Sequence, residues 1–245
     1  MKISPRAGTA AGIIAAAIAA LLLTPTITGA TDSPQPPSTP LPTLSAETLP
    51  STVPDVVDHT PESGTLTLLE QLPPVSAPPG QDYDRDEFGQ RWADIDRNGC
   101  DTRNDMLGRD LIEATFKPGT HDCVVLTGIL HDPYTGETVD FTRLSEGYQP
   151  VQVDHVIPLA AAWDAGASGW TSEQRTQFAN DPANLQVTTA NQSKGSRGPA
   201  SWMPPAADYA CEYATRYVEL AHHYDLALPE EDRAALRGTL TGCSQ

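Results

Sequence analysis

From Tyr83 onward the apolar positions fall into short blocks that switch between helix and strand periodicity. Phe88, Trp92 and Ile95 are spaced for one face of a short helix, and Met106, Leu107, Leu111 and Ile112 predict a second, with an Asn98-Gly99 turn between them. Residues 124–130 are apolar and β-branched, residues 132–136 (Asp-Pro-Tyr-Thr-Gly) are a turn cluster, and residues 139–141 return, which predicts a β-hairpin. A further strand is predicted over residues 151–157. After Pro158, residues 159–163 read as helix, Thr171 or Ser172 caps a helix through Phe178, residues 184–188 read as strand, and a helix opens near Asn191. Two more helices are predicted over residues 206–224 and, behind Pro229, residues 230–240. The sum is an α+β domain over residues 81–245.

The pattern is different upstream. Lys2 and Arg6 precede an apolar run over residues 7–23, and the small residues Thr28, Gly29 and Ala30 follow a proline. This predicts a secretory signal peptide over residues 1–30. An uncleaved anchor that tethers the protein to the membrane is the competing reading, because the run is at the short edge of what spans a bilayer. Residues 31–80 contain 12 Pro, six acidic residues and no Lys or Arg. Such a segment buries too little apolar surface to offset its ordering entropy and is predicted to be an extended linker. Near its end Leu66, Leu68, Leu69 and Leu72 predict a short helical turn docked on the domain before Pro73 and Pro74 stop it.

Cys100, Cys123, Cys211 and Cys243 are even in number and lack any C-x-x-C spacing. In an exported chain they predict two disulfides. Three connectivities exist, and the local pairs Cys100 with Cys123 and Cys211 with Cys243 are preferred because each joins neighbouring elements. The formal charge of −17 excludes a basic protein that coats nucleic acid. Residues 81–245 carry 13 basic and 26 acidic groups, so any nucleic-acid contact must be local, weak and salt-sensitive.

The chemistry is concentrated in VQVDHVIPL and FANDPANLQVTTANQSKGSRGP. A strand ending in Asp154-His155, a returning strand carrying Asn184 and a helix presenting Asn191 and Lys194 bring a carboxylate, an imidazole, amides and an ammonium together. His155 can take a proton from water as general base, with activity rising through about pH 6.5 as the ring deprotonates. Asp154 supplies hard oxygen for a divalent cation and Asn191 an amide oxygen. Asn184 is expected to orient the His155 ring. Lys194 and Arg197 are expected to meet phosphate oxygens, and Arg103 reads either as a further phosphate clamp in the cleft or as a structural salt bridge. Asp94, Asp96, Asn98, Gly99 and Asp105 read as a departed EF-hand loop, against the plainer reading of a turn tied down by Cys100. Trp163, Trp170 and Trp202 are expected to pack in the core.

These segments, together with YDRDEFG, DRNGCDTRND, DPYTG, VDHVIPLAAAWDAGASGW and NQSKGSRGPASWMPP, resemble an HNH-family endonuclease of the ββα-metal type. More narrowly they resemble the HNH domain at the C-terminus of GmrSD-type restriction enzymes and secreted actinobacterial proteins carrying that domain. The resemblance implies a ββα-metal core with added helices and a hairpin. It also implies His155 as general base, Asp154 as metal ligand, Asn184 at the middle Asn position, and Asn191 where the last His of the name usually stands. An amide in that place implies Mg²⁺ or Mn²⁺ rather than Zn²⁺. The implied protein is a secreted or wall-associated nuclease that hydrolyses DNA without strong sequence specificity. RNA is the alternative substrate, and a decayed nuclease fold kept as a disulfide-stabilised binding or wall-associated module is the rival reading.

Overall fold

A computed structural model describes residues 61–75 and 80–243. The signal-peptide reading and the linker reading up to residue 60 lie outside the described residues. The described chain is α+β, with seven α-helices and five strands. α1 (Pro61–Gln71) precedes a 3-10 turn at Arg85–Phe88 and α2 (Thr102–Asp110). β1 (Leu111–Phe116), β2 (Val125–His131) and β3 (Thr138–Thr142) form an antiparallel sheet in that order. β4 (Gln152–His155) is followed by α3 (Leu159–Asp164) and α4 (Ser172–Ala179) before β5 (Leu185–Thr188) returns antiparallel to it. α5 (Asn191–Lys194), α6 (Ala210–His223) and α7 (Glu230–Cys243) complete the domain.

Local chemistry explains several boundaries. Asp101 caps α2 by accepting from the Asn104 amide at 2.9 Å, and Thr171 with Gln174 forms a reciprocal capping box on α4. α7 starts behind Pro229 with Glu230, Glu231 and Asp232 in its first turn, where the helix dipole favours negative charge. The hairpin turn is fixed by Asp132, whose carboxylate accepts from Tyr134 N and reaches across to the Thr188 hydroxyl and the Thr189 amide. Gly198 of the NQSKGSRGP segment meets α7 closely. A Cβ there would clash with the Asp232 carboxylate.

Two expected helices are corrected. Leu111 and Ile112 do not extend α2; they open β1, which adds to the hairpin as a third strand and leaves β2 at the centre of the sheet. Phe88, Trp92 and Ile95 do not share a helix either. The turn ends at Gly89 (φ 75°) and Trp92 has a left-handed φ of 56°, so Phe88 joins one core and Trp92 packs on the other. α1 is also longer than the short turn expected near Leu66. It starts at Pro61, inside the stretch read as linker, and buries Thr65, Leu69 and Leu72 against the core shared with α6 and α7. Arg237 holds Glu70 at 2.8 Å, and Arg233 donates to the Leu72 carbonyl. A chain cut at residue 81 is therefore expected to lose several kcal/mol through the exposed partners of two buried leucines. Comparing its Tm with that of a chain beginning at Pro61 checks this, and equal values would show that α1 is dispensable.

Both disulfides join the preferred pairs, Cys100 with Cys123 and Cys211 with Cys243. The core has two parts. One is helical, built on Trp163, Phe178, Tyr213, Tyr217 and Leu236; the other lies under the sheet and holds Leu107, Leu130, Phe141 and Leu185. The chain through β4 serves both: Val153 packs in the sheet core, whereas Val156 and Ile157, just past the strand, pack in the helical core. Asp154 and His155 stand at the crossing.

Candidate active site

A cleft of about 430 Å³ opens along β4 and α5, lined by Asp154, His155, Gln152 and Asn191 from these elements and by Tyr83, Arg85 and Tyr148 from the segments before and between them. His155 is buried and held on two sides. Its ring lies parallel to the Trp92 indole, with an interplanar angle of 10° and centroids 6.2 Å apart. Its Nε2 is 2.9 Å from the Ala179 carbonyl. A carbonyl only accepts, so Nε2 carries the hydrogen and Nδ1 keeps the lone pair. Burial pushes the imidazole pKa down to about 3, opposed by the Ala179 hydrogen bond and reinforced by the positive charges of Arg85 and Lys194.

The ring is thus oriented by Trp92 and Ala179 and not, as expected, by Asn184. The Asn184 side chain accepts from the Ile157 amide at 2.8 Å and donates to the Ile157 carbonyl at 3.3 Å, while its own carbonyl accepts from Val156 N. It fastens the backbone just past His155 and acts on the site through β4.

Lys194 is likewise displaced from its expected role. Its side chain is 0% exposed, so it cannot meet a phosphate. The ammonium lies 2.9 Å from Asp154 Oδ2, donates to the His155 carbonyl at 2.5 Å and sits over the Trp202 ring. Tyr134 also donates to Asp154 Oδ2, at 3.4 Å. Burial pushes the Asp154 carboxyl pKa up and the Lys194 ammonium pKa down, and in each case the partner's opposite charge resists the shift.

Asn191 opens α5 at the cleft, and a chain of amides sets its orientation. Gln152 Nε2 donates to the Gln149 carbonyl at 3.1 Å, which turns Gln152 Oε1 toward Asn191; Asn191 Nδ2 donates to that oxygen. The Asn191 Oδ1 is left as the end able to accept a ligand. Arg197 is exposed on the turn after α5, next to the lining residues Gly195 and Ser196, with Nε donating to the Lys194 carbonyl at 3.0 Å. Arg103 is not brought to the cleft. It is partly buried on α2, with Asp101 and Arg143 as its charged neighbours.

Arg85, Gln152, Trp92 and Tyr134 were not singled out from the sequence for this site. Arg85 makes no ion pair among the described residues; of its acidic neighbours, Asp84 caps the turn and Glu87 pairs with Arg175 at 2.9 Å. The signals for Arg85 and Tyr134 were present in YDRDEFG and DPYTG, whose resemblance was noted without a role for either residue. The loop read as a departed EF-hand is a self-tied turn. Asp94 and Asp96 accept from the Asn98 amide, Asp94 also from the Gly99 amide, and Asp96 and Asp105 from the Asn98 side chain. Among the described residues no group of three or more His, Cys, Asp or Glu side chains could hold a metal ion. The tryptophans expected in the core are packed there: Trp163 is buried with Nε1 on the Gln81 carbonyl, and Trp170 and Trp202 lie against Phe178 and Tyr134.

The profile of the family described as GmrSD restriction endonucleases, C-terminal domain, matches residues 101–238, more than half of the chain. The protein belongs to that family. The GmrSD C-terminal domain accounts for the sheet, β4, β5, α5 and most of α7, and it makes this a nuclease-like domain. A relative described as an uncharacterized secreted protein, from Arthroderma benhamiae, is 35% identical over 207 residues, covering 82% of this chain and 96% of that protein. No solved structure matches the chain. The match to the GmrSD C-terminal domain begins after Tyr83, Arg85 and Trp92, so three residues around the cleft come from the flank before it. Among the described residues no helix is long and apolar enough to cross a membrane.

Proposed function

We propose that the protein is a secreted, metal-dependent endonuclease that hydrolyses phosphodiester bonds of DNA without strong sequence specificity, and that β4, β5 and α5 are its ββα-metal core. The observation that carries this reading is His155: a buried, neutral imidazole in a polar cleft, with Nε2 occupied and Nδ1 free to accept a proton. Nδ1 takes the proton from the attacking water. Trp92 and the Ala179 carbonyl hold the ring so that this atom does not swing away. Arg85 and Arg197 are the cations placed to meet substrate phosphate. The secreted relative and the signal-peptide reading support export.

Asp154 and Asn191 would hold the divalent cation. One carboxylate and one oriented amide oxygen are a sparse all-oxygen set, which fits Mg²⁺ or Mn²⁺ retaining most of its water and is a poor match for Zn²⁺. When bound, the cation would stabilise charge on the scissile phosphate and the leaving oxygen. The chain's own part is to keep Asp154 ionised and in place through Lys194, and to keep Asn191 turned outward through Gln152.

The test is incubation of the oxidised chain with plasmid DNA and Mg²⁺ or Mn²⁺, beside a chelator control. Cation-dependent nicking is expected. A folded protein that cleaves neither DNA nor RNA at high concentration would leave the binding-module reading in its place. The buried His155 also changes the expected pH profile. Its base form is filled well below neutrality, so kcat/KM is expected to show no acid-side inflection near pH 6.5. A profile measured from about pH 5 to 9 that instead rises tenfold per unit toward 6.5 would show a ring titrating at its ordinary value.

A further inference from the structure

The cleft has aromatic edges that the proposed chemistry does not use. Of the large apolar side chains exposed among the described residues, Tyr83 (38%) and Tyr148 (55%) both line it. Tyr83 is fixed by ring contacts to Phe88 and Trp163 at 6.2 and 6.3 Å. Tyr148 makes no ring contact among the described residues, yet the segment that carries it is tied down. The Gln149 side chain accepts from Leu144 N and donates to the Thr142 carbonyl, both at 3.0 Å, and Gln152 holds the Gln149 carbonyl. Tyr148 is therefore presented to solvent on a stapled turn next to Gln152 and Asn191, with Arg85 free of ion pairs in the same cleft.

A flat π-face beside a phosphate-binding cation matches a nucleobase, but only one whose own faces are free. Inside a duplex each base is covered by its neighbours, whereas an unpaired base can lie on an aromatic ring. Charge points the same way. Residues 81–245 carry twice as many acidic as basic groups, and a single strand presents a lower linear charge density to that surface than a duplex does. A cleft of about 430 Å³ is in the size range of sites for single small molecules, about 300–1,000 Å³.

We infer that the cleft takes an unpaired stretch of nucleic acid, with one base stacked on Tyr148 and a neighbouring phosphate on Arg85. This rests on the nuclease reading of the same site. The substrate class is then single-stranded DNA or the unpaired parts of a duplex.

The test measures fluorescence anisotropy of a short labelled oligonucleotide in Mg²⁺, single-stranded or annealed to its complement, with the full oxidised chain carrying His155→Ala so that bound strands persist. The single strand is expected to bind more tightly. Adding Tyr148→Ala is expected to lower the ratio of single-strand to duplex affinity by about 5- to 100-fold, and Tyr148→Trp to preserve it. Equal affinity for the two forms, or an unchanged ratio in Tyr148→Ala, overturns the inference. Cleavage by the wild type is scored separately. A Tyr148-dependent preference without any cleavage supports the stacking site and removes the nuclease reading, whereas cleavage whose strand preference ignores Tyr148 does the reverse.

Discussion

Replacing His155 by Ala is expected to slow phosphodiester cleavage by about 10²- to 10⁴-fold, the usual share of a general base. The loss should fall on kcat, because in the proposed mechanism the imidazole acts on the water and not on the substrate's resting contacts. The substitution removes a ring held between Trp92 and the Ala179 carbonyl, so a Tm and a near-ultraviolet circular dichroism spectrum must accompany the rate. A folded variant that cleaves at the wild-type rate would remove His155 from the mechanism.

The largest effect on stability is expected at Lys194. Lys194→Met leaves the Asp154 carboxylate buried without its counter-ion, a change that costs about 3–5 kcal/mol in comparable buried pairs. At roughly 2–4 °C per kcal/mol for a domain of this size, Tm should fall by about 6–20 °C. The deficit should also depend on pH. Burial already raises the Asp154 pKa in the fold, and losing Lys194 removes what opposes that rise. The folded variant then binds a proton that the unfolded chain at the same pH releases. Its penalty therefore grows as pH rises above the unfolded carboxyl value and shrinks as pH falls toward it. Adding Asp154→Asn to Lys194→Met should restore most of the Tm without restoring cleavage. A Lys194→Met protein as stable as wild type at every pH would show that the pair is not a pair in solution.

The elements legible in the sequence were those fixed by local chemistry. Residues 132–136 read as a turn, Thr171 or Ser172 as a helix cap, and Pro229 as the start of α7. The residues that went wrong depended on distant partners. Leu111 and Ile112 read as helix because they share a helical spacing with Met106 and Leu107; the pairing of β1 with β2 is set by the non-local matches Leu111 with Leu130 and Ile112 with Ile129. The strand also carries a bulge with Glu113 at φ 53°, which no periodicity shows. Asp154, His155 and Asn191, named from residue types and spacing, do line one cleft. Lys194 was read as a phosphate ligand because a lysine is rarely buried, and its partner lies 40 residues upstream. Arg85 was hidden in a run of acids of which Asp84 caps the turn and Glu87 pairs with Arg175.

β4 gives its Val153 to one core, and Val156 just past the strand packs in the other, with Asp154 and His155 at the join. Neither core can loosen without pulling on that four-residue strand. Inactivation should therefore coincide with the first heat absorbed on warming, whichever half yields first, and there should be no warm, partly melted form that still cuts. That join acts as a fuse: damage in either core reaches Asp154 and His155 before the rest of the fold is lost.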